Sequence, residues 1–216
     1  MTTFIEEFGF IWGSFLATLS LTAVAGALSL MWGTILATMR VSPVGPLRSF
    51  GTAYVEIVRN TPLTLMFFFW AFVSGTFGLL PSLGFQQAAI ALTLYTSSFV
   101  CEALRSGVNS VGIGQAEAAR SIGLTFGQTL SQVVLPQAWR TAIPPLISVL
   151  IALTKNTSVA AGFAYTELVA AQQRLTNSNP SDGLFIFFGI GLMYLIITIP
   201  LGLLAAQVER KVAFAR

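Results

Sequence analysis

The chain has 216 residues, 55% of them hydrophobic and 9% charged, with a formal net charge of +3. A water-facing domain carries about 25% charged residues, so an ordinary soluble globule is excluded, as are collagen-like and disordered chains. There is no His, a lone Cys101 and only Lys155 and Lys211 as lysines, neither after a GxxxxG loop; this removes His-based metal and triad chemistry, an internal disulfide and a phosphate-cradling loop.

What remains is an integral membrane protein. A bilayer-crossing helix needs about 20 mostly apolar residues, and in chain order the sequence offers five: 8–39, 61–79, 85–104, 141–164 and 184–208. The second and third are parted by Gly78-Leu-Leu-Pro-Ser-Leu-Gly84, a turn by composition, and the last two by the polar run 172–182. Glu6 and Glu7 precede the first apolar run without any Lys or Arg, the wrong flank for a cleaved signal peptide, so the first span is expected to be retained. Cytoplasmic loops collect Lys and Arg. An outside N-terminus and a cytoplasmic C-terminus put nine of the eleven basic residues (40, 48, 59, 105, 120, 140, 210, 211 and 216) on the inner side, which selects that orientation. The expectation is an all-α polytopic protein, one transmembrane domain over 1–216, with a cytoplasmic loop at 105–140. The positive charge then reads as inner-loop arginine, not as a nucleic-acid surface.

The inner ends of the spans carry their own signals. Arg59-Asn-Thr61-Pro62 marks the start of the second span, where Pro is ordinary; a gate or subunit contact is the functional alternative. Glu102 and Arg105 lie three apart on one helix face and predict an ion pair anchoring the third span, with gating as the alternative. In the long loop, Glu117-Ala118-Ala119-Arg-Ser-Ile-Gly123 reads as a short helix closed by a glycine able to take the left-handed conformation. Thr125-Phe-Gly-Gln128 matches a capping box and starts a second helix to about residue 134, which Pro136 stops or hands on to the next segment. Ala116, Ala118 and Ala119 let a partner backbone approach, and Glu117 offers it a carboxylate; lying on lipid headgroups is the other reading of this helix.

Lys155 falls inside the fourth span, where a cation costs at least ~2.5 kcal/mol on insertion scales. Three placements are open: snorkelling to an interface, pairing with Glu102 or backbone carbonyls, or lining a polar path with Asn156, Thr157 and Ser158. Phe67-Phe-Phe-Trp70 reads as lipid-facing or packing surface, and the small residues Gly26, Gly33, Gly189, Gly191 and Gly202 as helix-packing positions.

The order and spacing Glu117-Ala-Ala, Gly123, Val133-x-Leu135-Pro136 resemble the EAA signature of permease subunits in bacterial binding-protein-dependent ABC importers, with Val133 where Ile is usual. Arg59-Asn-Thr-Pro-Leu63, Ala91-Leu-Thr-Leu-Tyr-Thr96, Glu102 to Arg105, Leu135-Pro-Gln-Ala138, Pro144-Pro-Leu146 and Lys155-Asn-Thr-Ser158 are similar to the polar amino-acid branch (histidine, glutamine and glutamate permeases), with Asn60 for Gly and Asn156 for Asp. The likeness spans about residues 10 to 210. It implies a type I importer permease fold in the bacterial plasma membrane, a coupling loop whose Glu117, Ala118, Ala119, Gly123, Leu135 and Pro136 meet a separate ABC ATPase dimer, a second related or identical permease, and an extracytoplasmic substrate-binding protein. The chain itself is then not an enzyme and holds no cofactor; ATP and Mg belong to the ATPase. Neutral Asn156 leaves Lys155 without an adjacent counter-charge, which points to an anionic substrate such as glutamate or aspartate. The alternative is an ion-gradient-driven secondary transporter or channel subunit, for which Glu102 is the one membrane-embedded acid.

Overall fold

The computed structural model describes residues 2–78 and 83–213, and every regular element among them is helical. These are α1 (Thr2–Glu6), α2 (Phe8–Val41), α3 (Gly45–Arg59), α4 (Leu63–Phe77), α5 (Phe85–Asn109), α6 (Ile113–Ser121), α7 (Phe126–Gln128), a π turn (Thr129–Val134), α8 (Leu135–Asn156), a 3-10 stretch (Thr157–Phe163), α9 (Leu168–Ser178), a 3-10 turn (Pro180–Asp182) and α10 (Gly183–Ala213). The predicted break at 78–84 lies mostly outside the described residues.

The centre of the bundle is α5. It packs on α2 and α8, with α3 and α4 at its flanks, while α10 closes over α8 and α9 bridges α2 and α10. The buried positions of α2, among them Ile11, Phe15, Thr18, Leu21, Ala25, Ser29 and Leu36, recur three or four residues apart and make one stripe. Close crossing needs small residues. A Cβ on Gly33 would sit 2.5 Å from Val100 Cγ1 and 2.8 Å from the Ser97 carbonyl; one on Gly107 would sit 2.5 Å from the Ala138 carbonyl. Gly33 therefore sets the α2–α5 crossing and Gly107 the α5–α8 crossing. Gly26 lies in ordinary contact range of Leu150 and Leu153 and Gly189 admits the Phe4 ring, whereas Gly191 and Gly202 have nothing near.

Several expectations shift. By length and composition, Phe8–Val41, Phe126–Phe163 and Pro180–Lys211 qualify as spans on their own, and Gly45–Arg59 with Leu63–Phe77 qualifies as a pair whose axes meet at 106°. The third predicted span, α5, is long enough but more polar than these. Its buried residues include Gln87, Thr96, Ser97 and Ser98. Enclosure by four helices keeps these groups from lipid; Ser97 and Ser98 donate to the carbonyls of Leu94 and Tyr95 at 2.8 and 2.7 Å, whereas the Gln87 amide and the Thr96 hydroxyl are buried without a hydrogen-bond partner. The stretch between the first two spans, left unassigned by hydropathy, is the amphipathic helix α3, and the polar run after the fourth span is largely α9. Both are too short to register as spans on their own and are helical because one face is covered by the bundle. Of the aromatic run 67–70, Phe67 is fully buried, whereas Phe68 and Phe69 are exposed.

The second loop helix does not stop at Pro136. It widens into the π turn and runs on as α8 without a break. A proline ring clashes with the carbonyl four residues back, here that of Gln132, and a π turn at that place gives the ring room.

Candidate functional site

The loop after α5 is built from local hydrogen bonds. Gly123 has φ +94°; its N–H donates to the Arg120 carbonyl at 3.0 Å and that of Leu124 to the Ala119 carbonyl at 3.2 Å. This pair of bonds is a Schellman closure of α6. Two residues on, the Thr125 N–H donates to Gln128 Oε1 at 2.9 Å and the Gln128 N–H to Thr125 Oγ1 at 3.4 Å, which completes the capping box. The result is a hairpin of α6 against the π turn. Glu117, Ala118 and Gly123 are exposed on it, as are Leu135 and Pro136 at its base, while Ala119 is buried. Ala119 thus packs the hairpin and does not join Ala118 on the free surface. Sequence reasoning missed the apolar rim: Ile113, Ile122 and Phe126 are 77, 80 and 72% exposed.

A second group gathers at the loop end of α5. The Glu102 carboxylate accepts from Arg105 Nη2 at 2.8 Å and Nε at 3.3 Å, pairs with Arg40 Nη1 and lies 3.4 Å from Arg59 Nη1. The predicted Glu102–Arg105 pair is present, but it is one arm of a four-residue knot joining the ends of α2 and α3 to α5. Thr61 and Pro62 take no part in it: the Thr61 hydroxyl donates back to the Ile57 carbonyl at 2.8 Å, and the Pro62 carbonyl accepts from the Met66 N–H as α4 begins. Pairing of Lys155 with Glu102 does not form. Three arginines occupy that carboxylate, Lys155 is exposed, and no carboxylate lies within ion-pair distance of it among the described residues.

Between α5 and α8 lies a cavity of about 340 Å³ lined by Tyr95, Thr96, Phe99, Ser148, Val149, Ala152, Leu153 and Asn156. The Thr96 hydroxyl is buried there without a partner. Ser148, Ala152, Lys155 and Asn156 are spaced i, i+4, i+7 and i+8 on α8, one helix face, and of these Lys155 alone is not among the lining residues. Thr157 is buried and donates to the Thr154 carbonyl at 2.7 Å, which makes it part of the helix-to-3-10 junction; Ser158 is half-buried. Of the four polar residues 155–158, only Asn156 lines the cavity.

Glu167 was unremarkable in the sequence and is fully buried in the fold. It caps α9, accepting from the Ala170 N–H at 2.9 Å and from the Tyr194 hydroxyl at 2.7 Å. The signal was there in an acid directly before an apolar helical run. Burial pushes its carboxyl above the usual range, against hydrogen bonds from the Val169 N–H, the Tyr194 hydroxyl and the Ala170 N–H. With the folded value above the unfolded one, stability is fullest below the ordinary carboxylate range and declines as pH rises through the raised value. Glu167→Gln keeps an acceptor for the cap and carries no charge. It is expected to flatten that decline, as thermal unfolding in detergent from about pH 4 to 8 would show. Among the described residues no three His, Cys, Asp or Glu side chains gather as a metal site would require.

The chain as a whole is similar to known proteins. The chain is 42% identical to the glutamate transport system permease protein GluC of Corynebacterium glutamicum, over 93% of this chain and 92% of that one. It is 37% identical to the probable glutamine ABC transporter permease protein GlnM of Bacillus subtilis, over 95 and 94%. A crystal structure of an amino acid ABC transporter with histidines superposes with a TM-score of 0.89 at 25% identity, covering 97% of both chains. The MetNI methionine ABC transporter in an inward-facing conformation gives 0.78 at 20% identity, a likeness of fold alone. The fold is that of a type I importer permease, a multi-pass inner-membrane protein, and the family described as binding-protein-dependent transport system inner membrane component matches residues 29–214. The chain belongs to that family.

Proposed function

We propose that this chain is the permease subunit of an ATP-driven importer of polar amino acids, working beside a second permease, an ABC ATPase dimer and an extracytoplasmic binding protein. The observation that carries the reading is the hairpin at 113–134: a Gly-closed helix and a capped helix present Glu117 beside an apolar rim, with α5 and α8 rising directly from its two ends. A groove on an ATPase would cover Ile113, Ile122 and Phe126 and offer a cation to Glu117. Motion of that groove would pass straight into the two helices that line the half-open 340 Å³ cavity. The same orientation leaves the N-terminus outside and the C-terminus inside, with Glu117 and the arginine knot on the inner rim. ATP and Mg belong to the ATPase, and this chain holds neither.

Glutamate and glutamine transport in the named relatives, together with a cavity lining free of any charged residue and Lys155 on the same face of α8, supports small polar amino acids as cargo, the acidic ones among them. Competition in reconstituted complex tests the choice: carriage of arginine or histidine with exclusion of glutamate would refute the acidic reading. The role itself is tested by co-expression with the neighbouring genes. The ATPase is expected to co-purify, and Glu117→Lys, which places like charge against the partner's cation, is expected to lower substrate-stimulated ATP hydrolysis about tenfold, a change of ~1.4 kcal/mol. Uptake driven by an ion gradient without ATP would instead favour a secondary transporter.

A further inference from the structure

The cavity between α5 and α8 ends on its loop side at Phe99, and Glu102 follows three residues later on the same helix. Arg59 lies over the Phe99 ring: its guanidinium carbon is 5.6 Å from the ring centroid while its Nη1 lies 3.4 Å from Glu102 Oε2. One side chain therefore holds the wall of the cavity and joins the arginine knot.

The three arginines are not equivalent. Arg40 is 11% exposed, and Arg105 reaches both carboxylate oxygens from its own helix. Arg59 is the most exposed, at 41%, and makes the longest contact. When Arg59 leaves, Glu102 keeps two cationic partners, so no bare carboxylate is left in the bundle. Arg40 and Arg105 make the closer contacts to the carboxylate. Arg59 is also the last residue of α3, directly before the Asn60–Pro62 link where the α3 and α4 axes meet at 106°. A few link residues that absorb a backbone change are how hinges are built.

We propose that Phe99 is the inner gate of the cavity and that Arg59 is the positioning residue holding it shut. Rotation of α3 about the Asn60–Pro62 link withdraws the guanidinium from the ring and from Glu102, and the freed ring swings off the cavity mouth toward the coupling loop. Arg40 and Arg105 stay on Glu102 throughout. This inference rests on the permease reading. It also predicts its own reporter. Cys101, the chain's single cysteine, is fully buried and packs with Leu36 of α2 and Val55 of α3, so lifting α3 uncovers it.

The test uses the whole complex in proteoliposomes. Maleimide labelling of Cys101 is followed by mass spectrometry of this chain, with and without ATP, alongside ATP-independent leak of radiolabelled glutamate. In the wild type, labelling should differ between nucleotide states. Arg59→Gln should raise both the resting labelling rate and the leak by about threefold, the scale of one lost exposed cation–aromatic contact. Phe99→Ala should raise leak without raising labelling, because α3 stays seated, and Arg59→Lys should fall between wild type and Arg59→Gln. A wild type that takes up glutamate under ATP but labels equally in every state overturns the gate alone. So does normal uptake with no added leak in both the Arg59→Gln and Phe99→Ala complexes. A wild-type complex with no ATP-dependent uptake and no bound ATPase overturns the permease reading and the gate with it.

Discussion

Gly123→Val is expected to abolish the response of the partner ATPase to substrate while the helical bundle stays folded. The residue has φ +94° and nothing within 4 Å of where a Cβ would be, so the obstacle is the backbone and not space. An L residue held in left-handed conformation costs about 1–2 kcal/mol, and a β-branched one is a steric outlier there. The loop will relieve this by leaving that conformation, which breaks the Gly123–Arg120 and Leu124–Ala119 bonds. α6 then loses its fixed angle to the capped helix, and Glu117 and Ile122 no longer present one surface. Transport should drop by tenfold or more, equivalent to ~1.4 kcal/mol at the rate-limiting step, with Gly123→Ala milder. Thermal unfolding should hardly move, because the turn is exposed and buries little. Substrate-stimulated ATP hydrolysis decides the matter: a wild-type response from the Val variant would remove the hairpin as the coupling element.

Glu102→Ala has the opposite signature, a large loss of stability. The carboxylate is the common acceptor for Arg40, Arg59 and Arg105. Without it, three guanidinium groups share a partly buried space with mutual repulsion. Breaking a buried pair by deleting one partner costs about 3–5 kcal/mol; partial exposure of Glu102, at 19%, places this one near the lower end, about 3 kcal/mol. The yield of monodisperse protein after detergent extraction and the midpoint of thermal unfolding should both fall. Glu102→Ala combined with Arg40→Leu should recover part of the loss, since the double change removes a stranded charge together with its acceptor. If Glu102→Ala alone unfolds like the wild type, the knot does not hold the three helices.

The two variants touch features of different legibility. Gly123 and Thr125-Phe-Gly-Gln128 could be read in the sequence because a Schellman closure and a capping box are made among residues less than six apart; no distant neighbour decides them. The Glu102–Arg105 arm was legible for the same reason, being i,i+3 on one helix. Arg40 is 62 positions from Glu102, and nothing local couples them. Pairing with Lys155 was one of three placements the sequence left open for that lysine, and only packing excluded it. Ala119 read as free surface because its place on the hairpin depends on how α6 lies against the π turn.

Hydropathy, summed along the chain, determined that this is a membrane bundle, because the cost of placing polar groups in hydrocarbon acts residue by residue. Short-range spacing determined the hairpin after α5. The tertiary structure alone decided that α5 can carry Gln87, Thr96 and Ser97 at the centre of the bundle, that α3 lies over Cys101, that Glu167 is buried beneath α9, and that Phe99 and Arg59 meet at the cavity mouth. Each of these depends on which helix faces are turned toward one another, and that is set by close fits such as Gly33 on Val100 and Gly107 on Ala138, contacts between residues far apart in the chain whose energies no local pattern encodes.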